Sequence, residues 1–205
     1  MLHLYVHPES PQDRMIQQAV ARIRHGEVVI YPADNTYALG CQLGNKGAME
    51  RIARIRRLPD QHQYTLICRD LSEISTYAKV DNATYRLLKN HTPGSYTFIL
   101  TATSEVPKRL LHPKRKTIGI RVPTNAVSQA LLSALGEPML TTTLTLPDAT
   151  DPLDDPYEIE EKLEKLVDVF IDVGMGTLGE TSVIDLSGDE AVVVRVGLGD
   201  VSGFI

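Results

Sequence analysis

The chain has 205 residues, 42% hydrophobic and 23% charged, with a formal net charge of −5. That length suits one sizeable core, composition is ordinary for a globular protein, and no stretch approaches the roughly 20 apolar residues of a membrane-spanning helix. The start, MLHLYVHPES, is too short, polar and histidine-rich for a secretory signal. The two cysteines, Cys41 and Cys68, lie in apolar segments without Cys-x-x-Cys spacing, so a cytoplasmic protein with buried, reduced thiols is expected.

In chain order, Ser10-Pro11-Gln12-Asp13 predicts a helix start, with Ser10 as N-cap and Pro11 at the first helical position. Met15, Ala19, Val20 and Ile23 recur at helical spacing, and Gly26 suits the stop. Residues 27–32, EVVIYP, read as a buried strand. Asn45 caps a second helix, KGAMERIARIRR, with Met49, Ile52 and Ile55 inward, Arg51 and Arg54 outward, and Glu50 placed to pair with Arg54. A strand over 64–70, two short helices up to His91, and strands over 95–103 and 117–123 follow. A helix over 126–135 is closed by Gly136, and MLTTTLTLP (139–147) reads as the next strand. Residues 146–156 form an exposed loop, an acidic helix covers 155–166, and three strands (VDVFIDV, TSVIDL, AVVVRV) finish the chain. Strands alternate with helices early and cluster late, which predicts an α/β (α+β) fold with a mixed sheet.

Charge is unevenly distributed. Residues 46–121 hold 15 Lys+Arg against six Asp+Glu, or +9; residues 122–205 hold three against 16, or −13. Either the middle block binds a polyanion, or folding interleaves the blocks and pairs their charges. Lys108, Arg109, Lys114, Arg115 and Lys116 flank His112 without interleaved aromatics, a pattern suited to nucleic-acid backbone rather than base stacking.

Three motifs differ in weight. GMGTLG (174–179) fits a dinucleotide fingerprint, but a strand pattern follows where a helix N-terminus is required, so it reads as a turn. The histidines at 3, 7, 25, 62, 91 and 112 show no metal-ligand spacing, and no metal site is expected. In MLTTTLTLP, period-two alternation sets Thr141, Thr143 and Thr145 on one strand face and Leu140, Thr142, Leu144 and Leu146 on the other. The threonine face is either solvated or a ligand surface. YPADNTYALGC (31–41) places Asp34, Asn35, Thr36 and Tyr37 after a strand end, and reads equally as a turn or as a binding loop.

Taken in order, EVVIYPADNTYALGC, RIARIRRLP, TPGSYTFIL, TIGIRVP and TSVIDL…VVRVG resemble the segments that mark the YrdC/YciO family, nearly end to end. RLPDQHQYTLICRDLSE and KRKTIGIRVP are most similar to its YciO branch. The resemblance implies one YrdC-like domain over residues 1–205, a twisted mixed sheet flanked by helices with a concave basic cavity, affinity for double-stranded RNA or tRNA, and nucleotide binding linked to tRNA threonylcarbamoyladenosine metabolism. In the better-known branch it implies a synthase that makes threonylcarbamoyl-AMP from threonine, bicarbonate and Mg-ATP.

Residue by residue, the resemblance implies that Arg56, Arg57, Thr141, Thr143 and Arg195 bind nucleotide, ATP or AMP with Mg if that pocket functions. Asp34, Asn35, Thr36, Tyr37, Thr181 and Ser182 meet the substrate. The charge pattern and the family together assign Arg51, Arg54, Lys108, Arg109, Lys114, Arg115, Lys116 and Arg121 to RNA. The sequence departs from the synthase pattern in three places. Lys-x-Arg becomes Arg56-Arg57-Leu58, Ser-x-Asn becomes Thr141-Thr142-Thr143, and Ala33 and Asn35 replace two threonines. Losing a cation at Leu58 tells against the synthase reaction. Altered chemistry on a threonylcarbamoyl or adenylate group, such as hydrolysis, or binding without catalysis are the other readings.

Overall fold

A computed structural model describes residues 1–205 except Asn35 and Leu178. Among the described residues ten strands form one sheet: β1 (Leu2–Tyr5), β2 (Val29–Pro32), β3 (Tyr37–Gln42), β4 (Thr65–Ile67), β5 (Tyr96–Thr101), β6 (Thr117–Arg121), β7 (Met139–Thr143), β8 (Val169–Asp172), β9 (Ser182–Asp185) and β10 (Val192–Arg195). Their spatial order is β1-β8-β2-β3-β7-β4-β6-β5-β9-β10. Parallel pairs (β1·β8, β2·β8, β4·β6, β5·β9) occur beside antiparallel ones (β2·β3, β3·β7, β4·β7, β5·β6, β9·β10), as the mixed-sheet expectation required. Six α-helices among the described residues pack on it: α1 (Asp13–Arg24), α2 (Lys46–Arg56), α3 (Leu71–Tyr77), α4 (Asn82–His91), α5 (Ala126–Leu135) and α6 (Pro156–Leu163). No helix among the described residues is long and apolar enough to cross a membrane. Cys41 and Cys68 are free and buried.

The two sheet faces are covered unequally. On one, Ile30, Leu39, Leu66, Leu140, Ile118, Ile120, Phe98 and Ile184 form a core with Ile52 of α2, Ile74 of α3, Leu88 of α4 and Ile159 of α6. On the other, α1 and α5 press Ile16, Val20, Ile23, Leu131 and Leu135 against Val29, Tyr31, Ile67, Met139, Val169 and Ile171. That second layer covers β1, β8, β2 and their neighbours. It stops short of the β6-β5-β9-β10 half of the sheet.

Local chemistry explains most helix ends. The Asn45 carboxamide oxygen accepts the Ala48 N–H at 2.9 Å, and Asn125 caps α5 through Val127 and Ser128, both at 3.0 Å. Gly136, with φ at 77°, stops α5 in the left-handed region that L side chains avoid.

Four expectations need correction. The α1 N-cap is Gln12, not Ser10, because His7 Nδ1 accepts the Glu9 and Ser10 N–H groups and holds that segment as a turn. Glu50 pairs with Lys46 at 3.7 Å rather than with Arg54. Arg51 does not point freely to solvent: its guanidinium meets both oxygens of Asp168, at 2.5 and 3.2 Å, and the Leu166 carbonyl at 3.0 Å. The long strand expected over 139–147 ends at Thr143, where Leu144 turns inward with its N–H on the Tyr37 carbonyl at 3.1 Å. β1 and β3 are additions to the elements read from sequence.

Candidate functional site

The uncovered part of the second face carries a cavity of about 500 Å³. Its floor comes from alternating strand positions: Thr141 and Thr143 of β7, Thr65 of β4, Gly119 and Arg121 of β6, Thr97 and Ile99 of β5, and Val183 of β9. Register explains the grouping. Thr65 stands opposite both Thr141 and Gly119, and Gly119 stands opposite Ile99, and directly paired residues share a face. A side chain at Gly119 would occupy this floor, since its Cβ would lie 2.7 Å from Thr65 Oγ1 and 3.4 Å from Thr97. Tyr31 reaches the edge of the floor along the same face, its ring lying over Gly40, and shares a hydrogen bond of 2.5 Å with the Thr141 hydroxyl. Burial raises the Tyr31 pKa to about 12, so the ring stays a neutral partner.

Cations form the walls. Arg56 ends α2, and its guanidinium donates to the Thr142 hydroxyl and to the Thr145 carbonyl at 3.0 Å. It has no carboxylate partner among the described residues, and burial lowers its pKa. Arg121 faces Asp34 at 3.7 Å, and its Nε is buried without a hydrogen-bond partner. Asp34 is itself fixed, because its Oδ1 accepts the Thr124 N–H, the Thr124 hydroxyl and the Asn125 N–H, all at 2.7 Å. Arg195 donates to the Thr181 carbonyl at 2.9 and 3.1 Å and pairs with Glu180 at 3.1 Å. A register shift between Val193 and Arg195 sets Arg195 opposite Val183, and Val194 and Arg195 both line the cavity. Arg115 enters from the turn before β6 and holds Asp185 at 2.8 Å.

The structure therefore gathers Arg56, Thr141, Thr143, Arg195, Thr181, Arg115 and Arg121 from the sequence-derived candidates. Thr36 and Tyr37 border an adjoining recess that shares Arg121, Thr143, Thr181 and Arg195 with the cavity, although the Tyr37 hydroxyl itself bonds Gly174 and Val173 at 2.7 and 3.0 Å. Asp34 orients Arg121 and the α5 entry, while Asn35 lies outside the described residues. Two candidates stand apart. Arg57 takes the left-handed C-cap of α2, so its side chain turns outward, 75% exposed, toward Asp148 at 3.5 Å, and the following Leu58 packs on the core. Ser182 lies on the helix-covered face, with its hydroxyl on the Gly199 carbonyl and the Gly197 N–H at 2.6 and 2.9 Å.

The basic candidates also divide. Arg51 and Arg115 are in ion pairs, and Arg109 donates to the Gly44 carbonyl at 2.7 Å. Arg54, Lys108, Lys114 and Lys116 are exposed, with no ion pair among the described residues. The pairing reading holds in part: Arg51, Arg57 and Arg115 of the middle block meet Asp168, Asp148 and Asp185 of the acidic block, while Arg54, Lys108, Lys114 and Lys116 have no such partner among the described residues. The GMGTLG segment leads into β9 rather than a helix, as its reading as a turn required.

Sequence reasoning missed His62, Gln63, Thr65, Thr97, Gly119 and Glu180 in the cavity lining. Alternation in TIGIR and YTFILT carries a signal for Gly119 and Thr97. Nothing local marks His62.

The site is thus an open cavity on the bare part of a mixed α/β sheet, floored by hydroxyls and walled by arginines. The chain belongs to the Sua5/YciO/YrdC family, whose model, described as telomere recombination, matches residues 21–197. It is 59% identical to the YciO protein of Escherichia coli K12 over 201 residues, covering 98% of each chain, and the crystal structure of E. coli YciO superposes with a TM-score of 0.96 over the whole of both chains. A threonylcarbamoyl-AMP synthase of Vibrio vulnificus is 27% identical over 168 residues, 80% of this chain and 88% of that protein. P. abyssi Sua5 complexed with L-threonine shares the fold, with a TM-score of 0.87 at 22% identity over 96% of this chain and 58% of that one.

Replacing Asp34 with Ala would leave the Arg121 guanidinium buried without its counter-ion and three donors unmet. The expected cost is about 3 kcal/mol, or a melting temperature lower by about 6–12 °C in scanning calorimetry. An unchanged melting temperature would show that another contact holds the turn at residues 123–125.

Proposed function

We propose that the chain binds a nucleotide and RNA and works in tRNA threonylcarbamoyladenosine metabolism, with altered chemistry on a threonylcarbamoyl or adenylate group. Arg56 carries the reading. Its half-buried guanidinium is held by two neutral oxygens and faces the cavity without a counter-ion. A fixed cation of that kind is strengthened by a phosphate, which supplies charge and bidentate acceptors together. Gln63, Arg115, Arg121 and Arg195 line the same cavity, and a donor-rich lining of that kind suits an acceptor-rich ligand. Thr65, Thr97, Thr141 and Thr143 supply hydroxyls for the remaining polar groups. Were Mg²⁺ to enter, it would come on the phosphates, since Glu180 is the lone carboxylate among the described lining residues and is held by Arg195.

A second reading, an active threonylcarbamoyl-AMP synthase, draws on the relatives that carry that name. Leu58 in the core and Arg57 turned outward weigh against it, because residues 56–58 then give the cavity one cation, Arg56, where the Lys-x-Arg of the synthase pattern provides two.

AMP binding by calorimetry tests the nucleotide reading. Replacing Arg56 with Gln is expected to weaken AMP about 10–100-fold, the worth of one charge-assisted pair, with little change in folding. Threonine-dependent pyrophosphate release from Mg-ATP and bicarbonate is expected to stay at background beside a working synthase. Turnover near that control would favour the second reading.

RNA would run along the exposed Lys114 and Lys116, with Arg54 and Lys108 as further backbone contacts. Reversing Lys114 and Lys116 to Glu is expected to weaken duplex RNA across all sequences and to lower the salt slope by about 1 per lost contact. An unchanged slope would remove these residues from the interface.

A further inference from the structure

One titratable group in the cavity wall serves neither the fold nor an anion directly. His62 lies in the connection between α2 and β4 and lines the cavity with Arg56. Its ring stands edge-on to Tyr64, centroids 5.1 Å apart at 85°, and its backbone N–H reaches the Pro59 carbonyl at 3.0 Å. Position is therefore constrained on two sides, yet neither ring nitrogen has a hydrogen-bond partner among the described residues. Burial, and then the charge of Arg56, lower its pKa, which leaves a neutral imidazole with an available lone pair at pH 7. Arg56 from α2 and Tyr64, the residue before β4, are the groups against it. Arg115, Arg121, Arg195 and Glu180 complete the charged lining, and Glu180, the other proton acceptor there, is engaged with Arg195 at 3.1 Å.

We propose that His62 is the general base of a hydrolysis in this cavity, in which water cleaves the anhydride between a carbamoyl group and the phosphate of a nucleoside monophosphate. The proposal rests on the nucleotide-binding reading above. A ring nitrogen of His62 takes one proton from water while the water oxygen bonds to the carbamoyl carbon. The bond from that carbon to the bridging phosphate oxygen breaks, and its electron pair leaves with the phosphate, whose charge Arg56 holds. The proton on His62 then passes to solvent. Water is the sole co-reactant, and the products are the carbamic acid and the nucleoside monophosphate. A base beside a phosphate-holding cation is the pairing such a step needs.

The test is AMP release from threonylcarbamoyl-AMP, made with a genuine synthase, measured for the natural chain, His62→Asn and His62→Gln between about pH 5 and 9 across the histidine range. AMP affinity and circular dichroism are followed alongside. Release above the spontaneous rate is expected, rising with pH and levelling above a midpoint below the ordinary histidine value. Both variants are expected to be at least about 100-fold slower, without that pH limb, while still folding and binding AMP. Variants as fast as the natural chain would overturn the role of His62. A natural chain that binds AMP but releases none above the spontaneous rate would overturn the hydrolysis and leave the nucleotide reading standing. A natural chain that binds no AMP would remove both.

Discussion

Half-coverage of one sheet face is the constraint from which the rest of this molecule follows. A ten-stranded sheet buried on both faces would need apolar side chains at every position of every strand. Here the helix-covered face is apolar through its centre, from Phe170 and Ile30 to Phe98 and Ile184, whereas the opposite face changes character where α1 and α5 end. Over β2, β3 and β8 it is Val29, Tyr31, Ala38, Val169 and Ile171. Over β4, β6 and β5 it becomes Thr65, Gly119, Arg121, Thr97 and Ile99. The second set is what a wet, functional surface requires, and the backbone beneath it is held rigid by the core on the other side.

The arginines show how such a surface keeps charge in place. Arg121 is oriented by Asp34, which the α5 entry fixes in turn, and Arg195 is oriented by the Thr181 carbonyl and Glu180. Arg115 answers to Asp185. Arg56 alone of the four is held by neutral groups, so it has the most to gain from an incoming anion. Interleaving of the two charge blocks consequently lets acidic residues from the late part of the chain position some cations of the middle part, while other cations keep no carboxylate partner among the described residues.

Elements with strong local signals were legible in the sequence. Helix α5 has an Asn cap, a continuous apolar run and a Gly at its left-handed stop, and it lies over the residues expected. The period-two threonines of β7 likewise face the cavity. β3 was hidden for a packing reason: Gly40 lowers its strand character, yet a Cβ there would lie 2.8 Å from the Tyr31 ring, so the glycine belongs to the strand because of its neighbour. β1 is four residues long and pairs in parallel with β8 across nearly the whole chain, a contact no local window contains. The same holds for the site. Arg56, Arg57 and Leu58 are consecutive, but a helix end sends the first into the cavity, the second to solvent and the third to the core. His62 and Glu180 come together only through the sheet order.

The most direct test of an anion cavity centred on Arg56 is a titration of the labelled protein with AMP, following the arginine Nε–H resonances by nuclear magnetic resonance. Saturable shifts at Arg56 and Arg121, with Arg51 and Arg57 unmoved, are the expected result, because the first two line the cavity and the others do not. Shifts confined to Arg109 of the basic turn and Arg54 of α2, both exposed and outside the cavity lining, with Arg56 and Arg121 silent, would contradict the account and place anion binding on the surface instead.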